Sequence, residues 1–110
     1  PLEQAIVVFD DLDLPTAALR MRPHGGSAGH KGMQSIIDRL GSHSVPRLRL
    51  GIDRPPGRMD PAAYVLHPFP NEQQQLIDDA LPLAADAIET FVRSGIDSAM
   101  SAFNSVASGA

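Results

Sequence analysis

A chain of 110 residues with 43% hydrophobic and 20% charged side chains can build one modest core and has no length for a second domain. It contains no cysteine, which excludes a disulfide framework, a thiolate metal site and a cysteine nucleophile. No apolar run approaches the length of a membrane span, and the first residues lack the basic-then-apolar pattern of a secretion signal, so a cytoplasmic setting is expected. The net charge of -4 hides an asymmetry: from Arg20 to Arg58 there are eight bases and two acids, and the flanks carry eleven acids against Arg93 alone. A basic centre points to a phosphate-bearing partner, against the plainer reading of solvated surface charges.

Ala5-Ile6-Val7-Val8-Phe9 is a continuous, largely β-branched run and reads as a buried parallel strand. The acidic turn Asp10-Asp11-Leu12-Asp13-Leu14-Pro15 follows it. Ala18-Leu19-Arg20-Met21-Arg22 alternates apolar and basic residues, which predicts a strand with one wet face. A glycine-rich run from His24 to Gly32 then opens a helix whose Met33, Ile36, Ile37 and Leu40 fall at helical spacing, with Gly41 as its stop. Leu48-Arg49-Leu50-Gly51-Ile52 alternates again. Arg54-Pro55-Pro56-Gly57-Arg58 is a rigid basic loop, and Asp60-Pro61 has the form of an N-cap with proline at the first helical position for a short turn over 62–66.

The remainder is acidic and helical. Leu76, Ile77, Ala80, Leu81, Ala84, Ala87, Ile88, Phe91 and Val92 draw an apolar stripe from about Asn71 to Arg93, ended by Gly95. Pro82 lies inside that stripe and is expected to kink or split the helix. Ile96, Met100 and Phe103 predict one last short helix, with the domain ending near residue 104 and a flexible tail over 105–110. Strands alternating with helices predict a single α/β domain. Only three strand candidates are present, few for a sheet between helices, and the sheet therefore reads as truncated.

The chemistry concentrates between Phe9 and Gly32. Asp10 closes one strand, and His30 stands at a glycine-rich helix start where unpaired N–H groups and the macrodipole favour anions. A carboxylate, an imidazole and an anion cradle are parts that hold an anionic substrate and move protons. Asp11 and Asp13 read as turn residues, and His24, His43 and His67 as surface residues. The four histidines and the acids show no metal-ligand spacing, so no metal site or cofactor is expected.

These residues resemble the bacterial-type peptidyl-tRNA hydrolase family. The resemblance runs from about Val7 to Asn104. It rests on Val7-Val8-Phe9-Asp10-Asp11-Leu12-Asp13-Leu14-Pro15, the Gly25 to Gly32 run, Arg47-Leu48-Arg49-Leu50-Gly51-Ile52, Arg54-Pro55-Pro56-Gly57-Arg58 and the Gly95 to Asn104 segment. It implies a twisted mixed sheet between helices, tRNA as partner, a monomer at full length, and hydrolysis of the ester joining a peptide to its tRNA. It also implies that this chain is the C-terminal part of such an enzyme, because the family's N-terminal glycine-leucine-glycine-asparagine-proline segment and catalytic histidine have no counterpart here.

By the same resemblance, Asp10 is the acid that orients that histidine and His30 is a second active-site histidine. Gly29 lies toward the tRNA end of the substrate, Lys31 replaces an asparagine that binds the substrate's terminal nucleotide region or the attacking water, and Arg22, Arg49 and Arg58 fall where the family places bases on the tRNA backbone. Asp53 replaces a glycine. Two other readings are a non-catalytic RNA-binding module of the kind found among intron-splicing relatives of this fold, and a fragment that neither binds nor catalyses because the missing strands leave an open sheet edge.

Overall fold

The computed structural model describes residues 1–54, 60–66 and 68–104. Arg58, His67 and the tail over 105–110 lie outside the described residues. After a 3-10 turn at Leu2–Gln4 come strand β1 (Val7–Asp11), strand β2 (Leu19–Arg22), helix α1 (Lys31–Leu40), strand β3 (Arg47–Gly51), and helices α2 (Pro61–Val65), α3 (Asn71–Ser94) and α4 (Ile96–Phe103). The strands form one mixed sheet in the order β1, β3, β2: β1 runs parallel to β3 and β2 antiparallel to it.

The register separates the two faces of the sheet. Leu19 pairs with Leu50 and Met21 with Leu48, and these residues pack with Ala84, Ala87 and Phe91 of α3 and Ala99 of α4 in one core cluster. On the opposite face Phe9 and Val7 pack with Met33 and Ile37 of α1 and with Val45. A mixed sheet between helices is therefore observed, as expected.

Local signals behave largely as their chemistry predicts. Gly41 takes a left-handed conformation (φ 67°) and its N–H bonds Ile37 O, closing α1, and the Asp60 side chain accepts from Ala63 N to start α2. Gly51 is required by close approach: a Cβ there would collide with the Pro15 carbonyl oxygen and come 2.8 Å from Leu14 Cβ. At the other edge, the Asn104 side chain accepts from Met21 N and donates to Met21 O, covering part of the free edge of β2 from the end of α4.

Four expectations are corrected. β1 lies two residues further on than the apolar run suggested and takes in Asp10 and Asp11, because pairing with Leu50 and Gly51 carries the strand through the first acids. It is also an edge strand, with Val8 52% exposed. Pro82 does not split α3, which runs from Asn71 to Ser94; Pro82 and Asp78, whose carbonyl loses its donor, are both exposed, so water can replace the bond. Finally, Leu76, Leu81 and Val92 stand out of the core, because the buried stripe of α3 is the narrower series Ile77, Ala80, Ala84, Ala87 and Phe91.

Candidate active site and nucleic-acid interface

Asp10 is the penultimate residue of β1, at the carboxyl edge of the sheet, the edge at which α/β folds gather their ligands. His30 reaches it from the start of α1, with Nε2 3.2 Å from Asp10 Oδ1. The other ring nitrogen is occupied as well, since Nδ1 accepts from Met33 N at 3.0 Å and makes His30 the N-cap of α1. An accepting Nδ1 places the proton of the neutral ring on Nε2, where it donates to Asp10. The Phe9 ring lies against the imidazole, centroids 4.8 Å apart, and limits its rotation. The couple opens into a cleft of about 530 Å³ lined by Asp10, Asp13, Gly29, His30, Lys31 and Leu66.

Lys31 is the first residue of α1 and is exposed at this cleft, beside exposed Gly29. The Lys31 and Gly32 amides find no acceptor among the described residues. Cation, free amides and helix start together make this wall of the cleft favourable to an anion. Asp10, His30, Gly29 and Lys31 are thus brought together.

The expected arginines form a second, adjoining group. In the β2/β3 register Arg20 is opposite Arg49 and Arg22 opposite Arg47, so two like-charged cross-strand pairs share one face of the sheet. Such pairs oppose sheet formation. A hollow of about 420 Å³ beside them is lined by Arg22, His24, Gly25, Gly26, Arg47 and Arg49, and Ala28 borders both it and the Asp10–His30 cleft. Arg22 is exposed. Arg49 is restrained by an ion pair to buried Asp11, Nη1 to Oδ2 2.9 Å, while its Nε is buried without a partner among the described residues. Arg58 cannot be placed in either group, since it lies outside the described residues.

Asp11 and Asp13 have turn roles: Asp11 Oδ1 accepts from Asp13 N, and Asp13 pairs with Arg54. Asp53 adopts φ 59°, a left-handed conformation open to glycine and, among larger residues, best tolerated by Asn and Asp. Its carboxylate is engaged by Thr16 N and Oγ1 at 2.9 and 2.8 Å, so its charge is held in the turn.

Sequence reasoning missed Arg47. It entered only as one of the central bases and as part of the motif that carries the resemblance, yet it is only 3% exposed and donates from Nε to Val45 O, from Nη1 to Gly26 O and from Nη2 to Gly25 O and His43 O. Burial and the neighbouring Arg49 charge hold its pKa below the ordinary arginine value. His24 is exposed, as read from the sequence, and borders the arginine hollow. No pattern in the chain marks the burial of Arg47, because it follows from how the glycine-rich segment passes over β3.

A mixed α/β sheet thus carries a carboxylate–imidazole couple at its carboxyl edge and an arginine-lined hollow beside it. The family model for peptidyl-tRNA hydrolase matches residues 1–109, and this chain belongs to that family. The peptidyl-tRNA hydrolase of Syntrophomonas wolfei is 50% identical over 103 residues, covering 94% of this chain and 55% of the relative. The chloroplastic peptidyl-tRNA hydrolase of Arabidopsis thaliana is 50% identical over 98 residues, covering 88% of this chain and 34% of the relative. The crystal structure of peptidyl-tRNA hydrolase from Acinetobacter baumannii superposes with a TM-score of 0.81 at 28% identity, over 91% of this chain and 50% of that one. The chain thus spans about half the length of several relatives it matches. Among the described residues no helix is long and apolar enough to cross a membrane.

Proposed function

We propose that this chain supplies the carboxylate, the substrate-end wall and the phosphate-binding face of a peptidyl-tRNA hydrolase, residues 1–104 forming the hydrolase-like part of a cytoplasmic protein that is monomeric at full length. The observation that carries the reading is the Asp10–His30 couple at 3.2 Å, opening into a cleft that adjoins the arginine hollow.

Hydrolysis requires a base to take a proton from water as the water oxygen attacks the ester carbonyl carbon; the bond to the tRNA oxygen then breaks and that oxygen takes up a proton. A carboxylate bonded to the base's imidazole fixes its tautomer and stabilises the imidazolium. Asp10 Oδ2 has no hydrogen-bond partner among the described residues, so Asp10 can serve a second imidazole while Oδ1 holds His30. His30 itself is not the base, since Nδ1 accepts from Met33 N and Nε2 carries the proton directed at Asp10. Lys31 and Gly29 face the tRNA end of the ester. Arg22, Arg49 and Arg58 neutralise backbone phosphates without reading base identity, as an enzyme for many tRNAs requires.

The engagement of both His30 nitrogens also favours a second reading for the 110 residues alone: RNA binding without hydrolysis. Release of free tRNA from a peptidyl-tRNA analogue separates the two. The chain alone is expected to show no turnover. Joined to the N-terminal segment that the resemblance implies, it is expected to hydrolyse the ester and to lose about 10²- to 10⁴-fold in rate in Asp10→Ala. Turnover by the chain alone, abolished in His30→Ala, would make His30 the base. No turnover from the joined protein would leave the RNA-binding reading.

A further inference from the structure

Arg47 is a cation in the interior with no carboxylate partner among the described residues. It is 3% exposed, and its guanidinium donates to four backbone carbonyls: Val45 O at 3.0 Å, Gly26 O at 2.7 Å, Gly25 O at 3.0 Å and His43 O at 3.1 Å. A bare buried guanidinium is expensive. For fold stability alone, a well-packed apolar side chain would serve this position at least as well. Two of the four carbonyls belong to the glycine-rich segment that leads into His30. His43 O also accepts from Gly25 N, so the segment is tied to the α1–β3 connection from both sides.

That segment is conformationally costly. Between Arg22 and α1 it carries Gly25 at φ 148°, Ala28 at φ 52° and Gly29 at φ 81°. A non-glycine residue in the left-handed region persists only where its surroundings fix it. Downstream of Ala28 the chain is held by His30 N to Ser27 O at 3.0 Å and by the N-cap bond. Upstream, Arg47 provides three of the bonds that hold Gly25, Gly26 and the neighbouring His43. Gly25 also lies close over the guanidinium, where a Cβ would stand 3.7 Å from Arg47 Nη1.

We propose that Arg47 is a positioning residue: by clamping the Gly25, Gly26 and His43 carbonyls it sets the path of the glycine-rich segment, and through it the placement of His30 and Lys31 beside the arginine hollow. The proposal rests on the tRNA reading for its functional consequence, but not for its structural one. Lysine keeps the charge at this position and cannot reproduce the fork of bonds, so Arg47→Lys separates geometry from charge.

The test uses the 110-residue chain. Backbone amide resonances of Gly25 to Gly32 are compared by NMR in wild type and Arg47→Lys, and affinity for deacylated tRNA is measured at fixed salt. Expected are shifts running through His30 and Lys31, with tRNA affinity lower by roughly tenfold. A folded Arg47→Lys protein with wild-type resonances from Gly25 to Gly32 and unchanged affinity overturns the proposal. If Arg47→Lys does not fold, Gly25→Ala decides: Gly25 lies outside both core clusters and its φ of 148° disfavours a Cβ, so the backbone carbonyl that Arg47 holds must turn; a shift carried on to His30 and Lys31 is expected, and unmoved resonances there count against the clamp. Failure of wild type to bind tRNA would remove the functional reading and leave the resonance comparison to judge the clamp.

Discussion

The two faces of the sheet are built on opposite principles. Toward α3 and α4, β2 and β3 present Leu19, Met21, Leu48 and Leu50 to small and apolar partners, and Leu19, Met21 and Leu48 are fully buried. Toward the α1 side the same two strands present Arg20, Arg22, Arg47 and Arg49 in like-charged pairs. The first arrangement stabilises the fold through removal of apolar area from water. The second opposes sheet formation, and of its four arginines only Arg22 is exposed, Arg47 being buried beneath the glycine-rich segment. Substitutions on the two faces should therefore fail in different ways.

The largest effect on stability is expected at Leu48. Leu48→Ala leaves a cavity in the centre of the α3/α4 side and should lower unfolding free energy by about 3 kcal/mol, read by urea denaturation. A loss below about 1 kcal/mol would mean that this face does not carry the fold. Asn104→Ala removes two bonds to the β2 edge and should destabilise by about 1 to 2 kcal/mol.

His30 tests the boundary between the faces, since it both caps α1 and meets Asp10. His30→Ala should lose about 1 kcal/mol of stability, whereas His30→Asn keeps a capping side chain and should retain most of it. Equal losses would show that the Asp10 contact, rather than the cap, accounts for the stability.

How much of this could be read from the chain follows the same division. Helix ends were legible because their chemistry is local: Asp60, Gly41 and Gly95 act within a few residues of their own positions. Strand existence was legible from alternation, but β1 shifted by two residues because its limits depend on pairing with β3. Asp10 and His30 were legible as chemistry-bearing residues of one segment, but their 3.2 Å contact could not be read from spacing, since it depends on how β1 and the start of α1 meet. Leu76 was misjudged, and the burial of Arg47 passed over, for a shared reason. Periodicity reports that a residue faces one side of its element, and says nothing about whether another element covers that side. Arg47 is covered by the glycine-rich segment, and Leu76 is left bare beyond the edge of the α3 packing.

The most direct measurement is the salt dependence of tRNA binding by wild type and Arg22→Ala, with thermal melts on the same samples. Arg22 is exposed at the hollow, so its removal should leave stability within about 0.5 kcal/mol. The slope of log K against log salt should become shallower by roughly one, with affinity falling alike for unrelated tRNAs. An unchanged slope with an unchanged melt would contradict the assignment of the arginine face to tRNA.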